Sequence, residues 1–363
     1  MADLRVSFCG LSLRNPVLPA AGPPGRNGAA LVACAQGGAG GLVSKTISLT
    51  PAAVPTPNMA EVRGGFLNTE LWSELPAERW LESEYSIARE TGLPLIIGLG
   101  YSGRDIANLA PRVRRFADAL ELSTHYIGES PAPMVEAIQA AKQAVDVPVL
   151  VKLSPLGREM VAAAEAAQEA GADGLVLINS FGPCLAIDAE SGMPVMGSAE
   201  GYGWLSGPAL KPLALRCVFD VAQQVSLPIM GVGGIARGLD AIEMMMVGAS
   251  AIQVCTASIL RGPKVFGEIA RQMDQWLEAH GYRTVDEIKG LTLRKLSERT
   301  LRAHAVAPTL DLDACSGCGL CEVSCVYGAI RVVDGKAVLD IPACAGCGLC
   351  VTRCRPAALH MLY

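Results

Sequence analysis

Between residues 16 and 255 the chain alternates short apolar runs with longer stretches in which apolar residues recur at helical spacing. The runs are Pro16 to Ala20, Gly41 to Thr46, Pro94 to Gly100, Ala119 to Ser123, Pro148 to Leu153, Gly174 to Asn179, Pro228 to Gly233 and Ala251 to Cys255. Each has the length of a strand. Between them lie helix patterns such as Asp105 to Leu120, Met134 to Val145, Met160 to Ala170 and Ala209 to Val225. Eight strands alternating with helices is the count of an α/β chain folded as a (β/α)8 TIM barrel, with a doubly wound open sheet as the other arrangement of the same elements. Residues Asp286 to Pro308 are rich in Arg, Lys, Glu and Leu and read as a surface helix leading out of the barrel. The expected domains are a barrel over 1–285, a helical connector over 286–308 and a small α+β domain over 309–363.

Cysteine spacing assigns chemistry to the small domain. Cys315, Cys318, Cys321 and Cys325 are followed by Cys344, Cys347, Cys350 and Cys354, so one Cys-x-x-Cys-x-x-Cys-x-x-x-Cys pattern occurs twice, 29 positions apart. This is the ligand spacing of a two-cluster, ferredoxin-like 4Fe-4S domain. Three thiolates on a tight loop cap three corners of one cubane, while the fourth faces away and reaches the sister cluster. Crossed ligation follows: Cys315, Cys318, Cys321 and Cys354 around one cluster, Cys344, Cys347, Cys350 and Cys325 around the other. Gly317, Gly319, Gly346 and Gly348 stand where the loops must curl around inorganic sulfide. Structural zinc favours paired Cys-x-x-Cys knuckles and does not require this spacing in both copies. Disulfides suit secreted chains, and the opening Met1-Ala2-Asp3-Leu4 shows no signal peptide. One departure from bacterial two-cluster ferredoxins stands out. The proline expected after the fourth cysteine is Val326 in the first copy, and Pro356 comes one place late in the second.

Composition narrows the rest. A chain of 363 residues with 51% hydrophobic and 18% charged residues is compact, and no apolar run approaches the roughly 18 residues of a membrane helix. A net charge of -5 offers no basic excess for nucleic acid. Cys9, Cys34, Cys184, Cys217 and Cys255 are scattered, and an odd remainder fits a reducing cytoplasm, the expected location.

In a barrel the chemistry gathers where strands end. Those positions hold Ala20-Ala21-Gly22, Ser44-Lys45-Thr46, Ser123, Lys152, Asn179-Ser180, Gly233-Gly234 and Cys255-Thr256. Gly231-Val232-Gly233-Gly234-Ile235 after the seventh strand and Gln253-Val254-Cys255-Thr256 after the eighth match the phosphate cradle common in such barrels. Clusters pass single electrons whereas most organic substrates take pairs, so a converter is needed; FMN converts between the two and carries one phosphate for one cradle. Lys152, and Lys45 in a similar position, would lie by the flavin's pyrimidine edge.

These residues carry a resemblance. Asn15-Pro16-Val17, Ser44-Lys45-Thr46, Phe66-Leu67-Asn68-Thr69-Glu70-Leu71, Ala119-Leu120-Glu121-Leu122, Lys152-Leu153-Ser154-Pro155, Gly203-Trp204-Leu205-Ser206-Gly207-Pro208 and Gly231-Val232-Gly233-Gly234 resemble, in order, the dihydroorotate/dihydropyrimidine dehydrogenase superfamily. With the two-cluster tail the chain is most similar to the catalytic part of NAD-dependent dihydropyrimidine dehydrogenases, which reduce or oxidise the C5–C6 bond of uracil and thymine. The resemblance implies FMN contacts at Ala20, Lys45, Thr46, Lys152, Ser206, Gly207, Gly233, Gly234 and Thr256. It implies substrate contacts at Asn68, Glu70, Asn179 and Ser180.

The chain departs from that pattern at the proton donor. Where the family has an asparagine and, three residues later, a cysteine that protonates the substrate carbon, this chain has Ser123 and Tyr126. Addition to a conjugated ring still requires an acid, so His125 and Tyr126 are the catalytic candidates, with Cys184 a third. Serine offers half the contacts of an asparagine amide, so Ser123 leaves room for a substrate with fewer polar edges than a pyrimidine, such as a cyclic enone or aromatic heterocycle. A non-catalytic electron relay or sensor is the reading from another class, and a flavin isomerase or synthase, for which clusters are superfluous, a third. The expected electron partner is an NAD(P)H-oxidising flavoprotein subunit or a ferredoxin, in a homo- or hetero-oligomer.

Overall fold

The computed structural model describes residues 1–100, 102–123, 130–299 and 304–361. They form two compact units, Met1–Arg294 and Lys295–Tyr363.

The first unit is a barrel. Its strands are β1 (Val17–Pro19), β2 (Leu42–Val43), β3 (Leu95–Leu99), β4 (Ala119–Ser123), β5 (Val149–Leu153), β6 (Gly174–Leu177), β7 (Ile229–Val232) and β8 (Ala251–Val254). They pair in parallel in the order β1-β8-β7-β6-β5-β4-β3-β2. The remaining seam, β1 to β2, carries the Gly40 N–H to Val17 C=O hydrogen bond at 2.7 Å. Nearly every strand residue is buried, which is why these segments appear as unbroken apolar runs. Helices cover the outside: the segment expected from Asp105 to Leu120 is helical only over Gly103–Val113. Its start is fixed by a capping box between Ser102 and Asp105, and its end by the need to turn before β4 begins at Ala119.

A four-stranded antiparallel sheet, absent from the sequence reading, is built from Met59–Val62, Gly65–Asn68, Phe181–Leu185 and Tyr202–Ser206. It is inserted after β2 and after β6, both at the carboxyl ends of barrel strands, where it carries Asn68, Trp204 and Ser206.

The second unit pairs Thr309–Leu310 with Leu359–His360 and Ile330–Val333 with Lys336–Leu339, both antiparallel, beside the short helices Leu320–Ser324 and Leu349–Arg353. Its buried core is small: Cys321, Ile330, Ala337 and Leu359. Gly317, at φ 66°, has no room for a side chain, because a Cβ would stand 2.1 Å from the Gly335 carbonyl oxygen.

Candidate functional site

The carboxyl ends of the barrel strands open into a cavity of about 410 Å³. Ala20, Lys45, Thr46, Asn68, Glu70, Ser123, Lys152, Asn179, Ser180, Ser206, Gly207, Gly233, Gly234 and Thr256 all line it, whereas Ser44, also singled out at the barrel rim, does not. His125 and Tyr126 lie outside the described residues. Cys184 is not among the lining residues; it is half-buried in the antiparallel sheet, its Sγ donating to the Phe181 carbonyl at 3.6 Å.

Three groups of residues surround the cavity. At its floor the buried Lys152 ammonium lies 3.3 Å from Glu121 Oε1 and donates to Gln253 Oε1 at 3.3 Å, while Gln253 Nε2 donates to Glu121 Oε2 at 2.5 Å. Glu121 is wholly buried, so its charge is held by this lysine and this amide alone among the described residues. Near the entrance Lys45 donates to Glu70 and Glu74, and Asn68 Nδ2 donates to the Trp204 carbonyl at 3.2 Å. Thr46 Oγ1 and Ser123 Oγ meet at 3.4 Å between β2 and β4.

The third group is the glycine turn after β7. Gly233 has φ 123° and Gly234 φ 72°; a Cβ on the first would lie 2.8 Å from Ala214 Cβ, and on the second 2.5 Å from Lys211 Cβ. Only glycine fits, and a turn without side chains leaves its backbone open to the cavity. Beside it, Ser206 Oγ and Thr256 Oγ1 share a hydrogen bond at 2.8 Å. Cys255 follows β8; burial pushes its thiol up to about 11, so it is an un-ionised wall residue at neutral pH.

In the second unit two hollows divide the eight cysteines. Cys315, Cys318, Cys321 and Cys354 line one; Cys325, Cys344, Cys347 and Cys350 line the other. The fourth cysteine of each copy therefore stands with the first three of the other copy. Among the described residues no three His, Cys, Asp or Glu close on a single-ion site, and four thiols around a hollow suit a cubane better than one zinc ion. The copies also share an amide–sulfur contact: Ala329 N–H to Cys325 Sγ at 3.3 Å and Ala358 N–H to Cys354 Sγ at 3.2 Å. Cys315 is held below the usual thiol range by N–H groups of Ala337 and Gly317, aided by the nearby Lys336 charge.

Comparison with known proteins assigns a family to each unit. Residues 3–277 match the family described as dihydroorotate dehydrogenase. The chain belongs to that family. Residues 307–355 match the 4Fe-4S dicluster domain. The chain is 39% identical to the dihydroorotate dehydrogenase B (NAD(+)) catalytic subunit of Methanothermobacter thermautotrophicus, over 79% of this chain and 98% of that one. It is 34% identical to the protein of the same description from Pyrococcus abyssi, over 80% and 99%, and 36% identical to that of Pelobacter propionicus, over 79% and 98%.

This member of the dihydroorotate dehydrogenase family is a flavin-dependent oxidoreductase acting on CH–CH bonds, with FMN and 4Fe-4S chemistry. The cavity fits FMN: a mostly apolar space with two lysines on its wall and a side-chain-free turn able to admit a phosphate. Among the described residues no helix is long and apolar enough to cross a membrane. The sequence placed Gln253 in the phosphate-cradle motif and Glu121 in a family motif without pairing either with Lys152, and the lining residue Arg261, bonded to the Ala236 carbonyl at 2.6 Å, gave no signal at all.

Proposed function

We propose that this chain reduces, or in reverse oxidises, a carbon–carbon double bond of a small cyclic substrate in the manner of a dihydropyrimidine dehydrogenase, with the family's cysteine position held by Tyr126. The observation that carries this reading is the joining of one cavity, walled by Lys45, Lys152 and the Gly233–Gly234 turn, to polar groups suited to a ring substrate.

Bound FMN supplies the conversion between electron pairs and single electrons. Ala20, Thr46, Ser206, Gly207, Gly233, Gly234 and Thr256 would hold it, with Lys45 and Lys152 as the cations nearest its ring. Lys152 is fixed in place by Glu121 and Gln253, so its charge is in position before any ligand arrives. Asn68, Glu70, Ser123, Asn179 and Ser180 are the proposed substrate contacts. Asn68 is oriented by the Trp204 carbonyl, and Asn179 Oδ1 accepts from the Ser180 N–H at 2.9 Å. His125 or Tyr126 would deliver the proton to the substrate carbon, the role that cysteine has in the family. In the tail, two clusters with crossed ligands are supported by the two hollows and their four-cysteine linings. The electron partner is an NAD(P)H-oxidising flavoprotein subunit or a ferredoxin; the relatives' description as NAD(+) catalytic subunits favours the former.

The test is anaerobic reoxidation of the dithionite-reduced protein by pyrimidines, cyclic enones and aromatic heterocycles. At least one class should restore the oxidised flavin spectrum, and separate His125→Ala and Tyr126→Phe variants should show which residue supplies the proton. A protein that no member of the panel reoxidises would refute the proposal in favour of an electron relay.

A further inference from the structure

Two carboxylates converge on the one ammonium of Lys45. Glu70 Oε2 accepts from Nζ at 2.7 Å and Glu74 Oε2 at 2.8 Å. The Lys45 side chain is 3% exposed and that of Glu70 11%, whereas Glu74 is 48% exposed. Asn58 Nδ2 occupies the second oxygen of Glu70 at 2.5 Å. The group holds one cation and two anions, so this end of the cavity is net negative.

The other cations on the wall are engaged as well. Lys152 faces Glu121 at 3.3 Å, and Arg261 pairs with Glu268. Among the described residues, each cation lining the cavity has a carboxylate partner. A ligand carboxylate brought to Lys45 would meet Glu70 first. Displacing Glu70 would strip a buried lysine of a charge partner and leave Asn58 without its acceptor.

We infer that Glu74 determines specificity: with Glu70 it keeps Lys45 neutralised, so the site admits an uncharged ring that donates an N–H or O–H to Glu70 and rejects a ring bearing a carboxylate. The inference rests on the ring-oxidoreductase reading above. It separates this chain from the carboxylate-bearing dihydroorotate of its relatives' names. Glu74 does not line the cavity and acts through Lys45, which makes it a positioning residue.

The experiment uses the FMN-loaded protein and two probes that share a ring and differ by one carboxylate, uracil and orotate. Each is titrated into the native protein and into Glu74→Gln and Glu74→Ala, with binding followed by flavin absorbance and by calorimetry. FMN content and melting temperature report folding, which the exposure of Glu74 should protect. The native protein should bind orotate at least about tenfold more weakly than uracil. Removing the Glu74 charge should shrink that ratio about tenfold, the factor from one charge-assisted hydrogen bond becoming available. Native preference for orotate, an unchanged ratio in both variants, or binding of neither probe by any of the three proteins would overturn the inference. The catalytic reading fails by a different result, the absence of flavin reoxidation, which does not affect the ratio of affinities.

Discussion

Replacing Glu121 by Gln removes one charge from the floor of the cavity and almost nothing else. The side chain keeps its volume and its contact with Gln253, but Lys152 loses its only carboxylate partner among the described residues. At 3.3 Å the pair is worth about 5 kcal/mol of Coulomb energy at an effective dielectric of about 20. Breaking a buried pair from one side costs about 3–5 kcal/mol, because the orphaned charge is left in a poor solvent. With Glu121 wholly buried and the Lys152 side chain 4% exposed, little water is present to soften the loss. A destabilisation of about 3 kcal/mol is expected in flavin-free protein, a large share of the roughly 5–15 kcal/mol that holds a protein folded. Urea denaturation of the native protein, Glu121→Gln, Lys152→Met and the double variant completes a cycle. The coupling energy should exceed about 1.5 kcal/mol. A single-variant loss below about 1 kcal/mol, or coupling below about 0.5 kcal/mol, would show that the pair is solvated and the reasoning wrong.

Three other outcomes are expected. Gly234→Ala forces a Cβ to within 2.5 Å of Lys211 Cβ at φ 72°, and should weaken FMN binding about tenfold or more, read by quenching of flavin fluorescence; unaltered affinity would remove the turn from the flavin site. Cys354→Ser should abolish the cluster of Cys315, Cys318 and Cys321 and spare the one formed with Cys325, read as a loss of about half the iron and of one paramagnetic signal; loss of the cluster held by its sequence neighbours Cys344, Cys347 and Cys350 would contradict crossed ligation. Burial pushes the Cys34 thiol up to about 12, against about 9 for an exposed thiol, so the folded chain keeps a proton that the unfolded chain releases. That stability is fully present below about pH 9 and is lost progressively as pH rises towards 12, so melting temperature should fall over this window and fall less steeply in Cys34→Ala.

Much of the barrel was legible because its strands are buried on both faces, which leaves an apolar signature that needs no partner to be recognised. Site positions were legible for a related reason: in a barrel, the residue ending a strand points to the mouth, and Lys45, Lys152 and Asn179 could be placed by counting. The antiparallel sheet was not. Phe181–Leu185 contains Gly182 and Pro183 and is half exposed, so it carries neither apolar run nor clear strand propensity. Pairing was equally hidden. Glu74 reaches Lys45 across 29 positions, and Gln253 reaches Glu121 across 132, distances at which a sequence pattern says nothing about contact. In the tail the reverse holds, since rigid cysteine spacing anticipated which thiols would share a hollow.

The most direct test of the whole account is a cofactor count on protein purified without oxygen. One FMN and about eight iron atoms per chain are expected, with dithionite bleaching both the flavin bands and the broad cluster absorbance, and a cyclic substrate restoring them. Chains that carry iron without flavin, or zinc in place of iron, would contradict it.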